Sequence, residues 1–194
     1  MLDKTSELLK RTVSADANEN IWRRGGLLYM LGINYRPSPI VMDTVHRVDK
    51  EAIFDPYNSG MDINAGDRAP EAPGLLEIKG GKGETVSLFK VFNYVQHTAL
   101  IFTQDIPAVT SVISKLKVYG DRVRTVIILS QGTRAPVDIS EVDYILEDTV
   151  GHAYKAYIDN DRPFTVVIVR PDTYIGAIAS DESAIVQYFE KIYL

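Results

Sequence analysis

The sequence contains no cysteine. That absence excludes disulfides, thiolate-bound zinc, iron–sulfur clusters and dithiol redox chemistry on these residues. Positive charge is also short, with 21 Lys and Arg against 26 Asp and Glu and a formal charge of −5. Nonspecific nucleic-acid binding relies on neutralising phosphates with Lys and Arg, so no nucleic-acid partner is expected. Long apolar runs are missing. The longest early one, LLYML at 27–31, is far below the ~20 residues that span a bilayer. The opening MLDKTSELLKR alternates charges where a secretory leader would be apolar. No membrane partner and a cytoplasmic location are the expectations.

Histidine is sparse as well. His46, His97 and His152 stand far apart, and none lies three or four residues from another, so no metal site is expected. GGKGET at 80–85 has Lys82 followed by Gly83, which breaks the phosphate-loop pattern and reads as a hairpin turn. No G-x-G-x-x-G occurs, so no dinucleotide cofactor is expected.

What is present is an ordinary globular composition, 45% apolar over 194 residues, enough for one domain or one domain with an N-terminal appendage. Residues 1–62 read as that appendage, helical over 1–24, stopped by Gly25-Gly26 and then extended. INAGDRAPEAPG, 63–74, is a strap. Ala69 and Ala72 each precede a proline, which disfavours helix from Gly66 to Gly74. In an extended strap Asp67 and Arg68 point to opposite sides.

Residues 75–194 read as the domain proper. LLEIKG (75–80) and TVSLFKVF (85–92) flank the glycine turn as a hairpin. HTALIFTQ (97–104) and VRTVIILS (123–130) are strands apolar enough to be covered on both faces. Between them, DIPAVTSVISKLKVYG carries Asp105 as an N-cap, Ile106, Val109, Ile113 and Leu116 as one helical face, and Gly120 as a stop. Asp138, Glu141, Asp143, Glu147 and Asp148 form a solvated face leading into a helix N-terminus. Val150, Ala153, Tyr154, Tyr157 and Ile158 form a second helical stripe. FTVVIV (164–169) and YIGAIAS (174–180) flank a tight turn, Arg170-Pro171-Asp172-Thr173. SAIVQYFEKIYL closes the chain as a helix with Ile185, Phe189 and Ile192 inward.

The two crossovers require parallel pairing and the tight turn requires antiparallel pairing. An α/β fold follows, a mixed central sheet with helices on both faces, which is the thioredoxin-like arrangement. A working thioredoxin carries Cys-x-x-Cys after its first buried parallel strand; here Gln104 and Asp105 stand there. Pro163 precedes the penultimate strand, where such folds often carry a cis proline.

Eleven Tyr against six Phe supply many rings with polar tips. Tyr29, Tyr35 and Tyr57 share the N-terminal third with Asn34, Arg36 and His46. They either line an aromatic-ligand cleft or dock the appendage with satisfied hydroxyls.

GINYRPSPIV, AGDRAPEAPGLL, SLFKVFN, TALIFT and VVIVRPDTYIGAI, in this order, resemble the C-terminal part of phenol 2-monooxygenase-type flavin-dependent aromatic hydroxylases. The match covers about residues 32–180. The resemblance implies a cysteine-less thioredoxin-like domain associated with dimerisation, with Gly66–Pro70 as the strap that joins it to a flavin domain. The chain departs from the family in lacking the flavin and substrate domains, so no FAD site and no catalytic residue carry over. Thr173 replaces a usual glycine, making a left-handed residue unexpected there. Ala177 and Ile178 replace an aromatic and an arginine.

Two functions follow as expectations. One is a protein that binds or converts an aromatic or polyketide-like small molecule without a redox cofactor. Its candidate catalytic residues are His46, His97 and Asp67, and its candidate ligand contacts Tyr35, Arg36 and Arg68. The other is a non-catalytic module that forms a homodimer or docks on a partner enzyme.

Overall fold

A computed structural model describes residues 33–46, 63–79, 83–103, 106–133, 141–158 and 164–193. Readings that involve residues 1–32, Tyr57, Lys82, Gln104, Asp105, Asp138 or Pro163 lie outside the described residues. Strands β1 (Met42–Asp43), β2 (Leu75–Glu77), β3 (Thr85–Val86), β4 (His97–Thr103), β5 (Val123–Ser130), β6 (Tyr144–Asp148), β7 (Phe164–Val169) and β8 (Ile175–Ala179) form one sheet. Its order is β1-β8-β7-β4-β5-β6-β2-β3. The helices are α1 (Leu88–Val91), α2 (Ile106–Leu116), α3 (His152–Tyr157) and α4 (Glu182–Tyr193). None is long and apolar enough to cross a membrane.

The pairing follows the connections. β4 and β5 run parallel, as the crossover through α2 demands, and β6 adds to them in parallel. The second expected crossover, through α3, needs correction, because β7 enters antiparallel to β4. β7 is antiparallel to both β4 and β8, and its tight turn to β8 is the one expected from Arg170–Thr173. Every residue of β4 is buried, because both faces are covered. Ala99 and Ile101 pack with Val109, Ile113 and Leu116 of α2 and Ile185 and Phe189 of α4. Leu100 and Phe102 face the other way, into a core shared with Leu88 of α1, Tyr157 of α3 and three alanines of the strap, Ala65, Ala69 and Ala72. Small side chains let the strap's backbone lie close to the sheet, in the layer where α1 and α3 also pack.

Four local expectations need correction. SLFKVF is not a continuing strand: Ser87 is extended (φ −118°, ψ 157°) and the chain then makes one turn, burying Leu88 and Val91 three residues apart. YILED is a strand, β6, where an acidic solvated face was expected. Ile145 and Leu146 are buried in it, and Asp148 at its end is 1% exposed. Val150 is not part of the α3 stripe, being 61% exposed and ahead of Gly151, whose φ of +79° precedes the helix. α2 stops at Leu116 and a 3₁₀ turn, Lys117–Arg122, contains Gly120 at φ +52°.

A further correction concerns the β7–β8 turn. Thr173 has φ +66°, so a left-handed residue is present where threonine argued against it. Its backbone explains the conformation: Thr173 N–H donates to the Arg170 carbonyl at 2.9 Å, and its own carbonyl accepts from Ala69 N–H at 2.9 Å. Turn closure and strap docking together outweigh a strain of about 1–2 kcal/mol for a β-branched residue. Thr173→Gly is therefore expected to stabilise the protein by about 0.5–1 kcal/mol after glycine's larger unfolded-state entropy is subtracted. A denaturation midpoint that shifts upward checks this.

Candidate functional site

The strap, the segment 33–46 and the β7–β8 turn meet in one hydrogen-bonded knot. Gly66 N–H donates to the Ile175 carbonyl at 2.7 Å and Ile175 N–H to the Asp67 carbonyl at 2.8 Å, so the strap pairs with the start of β8. Tyr35 N–H donates to the Gly66 carbonyl at 2.7 Å. This approach requires glycine: a Cβ on Gly66, at φ +96°, would lie 2.4 Å from the Arg36 backbone nitrogen.

Asp67 and Arg68 leave the strap in opposite directions. Asp67 turns inward, its carboxylate taking Arg36 Nε–H at 2.7 Å, Arg36 Nη2–H at 2.8 Å and Asn64 N–H at 2.9 Å. The two charged side chains are only 7% and 9% exposed, so this is a bidentate ion pair in a dry setting. Arg68 turns outward, its guanidinium 5.2 Å from the centroid of the Tyr174 ring. Tyr35, 45% exposed, meets the Tyr174 ring edge-on at 4.7 Å.

His46 joins through Asp43, a residue that sequence reasoning missed. The Asp43 carboxylate accepts from Val45, His46 and Ala65 N–H at 2.8–3.0 Å and lies 3.1 Å from His46 Nδ1. Burial alone would raise the carboxyl's pKa, but these hydrogen bonds outweigh it and hold the pKa below the ordinary value. Asp followed by backbone amides two and three residues on is a local Asx pattern, which was the available signal. Downstream, Tyr157 donates its hydroxyl to the Pro70 carbonyl at 2.5 Å and stacks on Phe102.

His97 does not join the others. It stands on the opposite face of the sheet, 7% exposed, among Tyr188, Phe189 and Tyr193 of α4. Its Nδ1 is 2.8 Å from the Tyr193 hydroxyl. Burial, assisted by the nearby Arg170 charge, lowers its pKa to about 4. Thus Tyr35, Arg36, His46, Asp67 and Arg68 share one knot, and His97 belongs elsewhere.

A recess of about 220 Å³ lies away from both, between the end of α2 and the starts of β5 and β6, lined by residues that include Gln96, Lys117, Thr125, Glu141 and Asp143. Among the described residues no group of three His, Cys, Asp or Glu could hold a metal ion. With its inward carboxylates filled by arginine, histidine and backbone amides, the knot is built to hold the strap on the sheet.

No family model matches the chain, and no curated protein matches it in sequence. Solved structures do match in fold. The thioredoxin domain of a thiol-disulfide oxidoreductase from Bacteroides vulgatus is 17% identical over 69% of this chain and 100% of that one, with a TM-score of 0.52. A conserved protein of unknown function from Bacteroides fragilis is 13% identical over 65% of this chain and 98% of its own, with a TM-score of 0.51. The flavin-dependent monooxygenase PieE, solved with FAD and substrate, is 17% identical over 96% of this chain and 31% of that one, with a TM-score of 0.51. The fold is thioredoxin-like, and in this chain it carries no thiol.

Proposed function

We propose that the chain is a non-catalytic docking module like the C-terminal part of the phenol 2-monooxygenase-type hydroxylases that its sequence resembles, and that it self-associates. The observation that carries this reading is the Arg36–Asp67 pair. Both charged groups are turned inward and bound to each other, so these two candidate residues support the strap and do not face outward toward a substrate. The likeness to 31% of a flavin-dependent monooxygenase, covering 96% of this chain, agrees with the sequence resemblance in direction.

A second reading, binding of an aromatic small molecule without a redox cofactor, is favoured by one feature. The exposed ring of Tyr35 packs on the buried Tyr174 beside the outward guanidinium of Arg68, so Tyr35 and Arg68 present a ring and a cation to a flat, electron-rich or anionic ligand. One experiment separates the two. Sedimentation velocity at micromolar concentration is expected to give a dimer whose mass is unchanged by phenol. A strict monomer overturns the docking reading, and a strict monomer with saturable phenol-induced shifts of the Tyr35 and Tyr174 ring signals establishes the second.

A further inference from the structure

The face of the sheet opposite the strap holds an ionisable group that neither reading uses. His97, the first residue of β4, lies under the last two turns of α4, with the rings of Tyr188, Phe189 and Tyr193 edge-on to it at 6.0, 5.6 and 5.7 Å. Tyr193 is its door. The hydroxyl meets Nδ1 at 2.8 Å and lies 3.5 Å from the Arg122 carbonyl. The ring stacks parallel to Phe189, with an interplanar angle of 5°, and the Arg122 guanidinium lies 5.0 Å from its centroid.

The two ends of α4 are fastened by different chemistry. At the start, Asp181 Oδ1 accepts from Ala184 N–H at 2.9 Å and from the Ser183 hydroxyl at 2.6 Å. These bonds lower the pKa of the Asp181 carboxyl, so this cap persists in mild acid. At the end, the imidazole hydrogen bond joins ring contacts with Phe189 and Tyr119 and the Arg122 guanidinium. We propose that the last turn of α4, Glu190–Tyr193, is an acid-released latch: it stays docked while His97 is uncharged and swings away when His97 takes up a proton.

Every element around the ring enters the balance. An imidazolium there would be buried, and the Arg170 guanidinium of the β7–β8 turn opposes it while Asp172 of the same turn favours it. Arg122 adds positive charge beside Tyr193. On α4, burial raises the pKa values of the Tyr188 and Tyr193 hydroxyls, so neither supplies an anion to balance the charge. The Tyr188 hydroxyl has no hydrogen-bond partner among the described residues and lies over Gly176, where an added Cβ would come within 2.0 Å of it. A charged His97 gains water only by displacing Tyr193.

The size of the effect follows from linkage. A group whose pKa is about 4 when covered and about 6.5 when exposed favours the open form as pH falls. The opening constant of the last turn should rise about 70-fold from pH 7.5 to pH 4.5. Simple fraying that leaves His97 covered has no such dependence.

Amide hydrogen exchange, corrected for intrinsic rates, tests the latch. In the intact chain the amides of 190–193 are expected to open far more often than those of β4 and β5 at every pH, with the predicted rise confined to acid. His97→Gln, neutral throughout, should flatten the profile. A change below about threefold, a rise that persists in His97→Gln, or opening of 190–193 only together with β5 overturns the proposal. Should His97→Gln fail to fold, the His97 ring signal decides: a midpoint below about 5 supports the latch, and one at or above about 5 overturns it.

Discussion

Asp67→Ala is expected to lower the unfolding free energy by about 3–5 kcal/mol, the range for removing one partner of a buried ion pair. The variant strands the Arg36 guanidinium, 7% exposed, without its bidentate acceptor. It also takes the acceptor from Asn64 N–H. The larger part of the cost is the loss of a countercharge to a buried guanidinium and not the worth of the pair itself. The double variant Arg36→Met with Asp67→Leu removes charge and countercharge together. It should therefore be less destabilised than the sum of its single variants by at least about 2 kcal/mol. Urea denaturation of the four proteins closes the cycle. A loss below about 1 kcal/mol for Asp67→Ala would mean that water reaches the pair, and the knot would then be a surface feature.

That cycle bears on function because the same pair separates the two readings of the chain. If the pair holds the strap, Ala65, Ala69 and Ala72 stay in the second-face core and the polar residues are structural. If the pair is dispensable, Arg36 and Asp67 become available to a ligand.

The strands with continuous apolar runs were legible because burial on both faces leaves no polar alternation to misread. HTALIFT, VRTVIILS and FTVVIV became β4, β5 and β7. β6 was not legible. Its five residues carry two acids, Glu147 and Asp148, and only the fold reveals that Glu147 accepts from Gly132 N–H across a loop while Asp148 faces inward. The Asp67 and Arg68 divergence was legible from alternation along an extended chain. The partner of Asp67 was not, since Arg36 lies 31 residues away and no local pattern links them. His97 was grouped with the strap by residue type alone. A one-residue change of register sends a side chain to the other face of a sheet, and the parity of β4 places His97 with Ala99 and Ile101, under α4.

Asp148 supplies the second large effect. Its carboxylate, at the end of β6, accepts from Gly151 N–H at 2.9 Å and His152 N–H at 3.1 Å through Oδ1, and from Tyr154 N–H at 2.9 Å through Oδ2. These are donors at the start of α3 that no backbone carbonyl of the helix can reach, and the acceptor they share is only 1% exposed. Asp148→Ala should cost about 2–4 kcal/mol, more than an ordinary cap because three amides lose one buried acceptor at once. Asp148→Asn keeps a carbonyl oxygen for Gly151 and His152 but points an amide donor at Tyr154 N–H, so it should cost about 1–2 kcal/mol. The order of stability, Asp above Asn above Ala, is the diagnostic, read from denaturation midpoints. The loss reaches the strap, since α3 carries Tyr157, whose hydroxyl holds the Pro70 carbonyl. Tyr157→Phe in the Asp148→Ala background should accordingly cost less than it does alone. Additive costs would mean that α3 and the strap are fastened to the sheet independently.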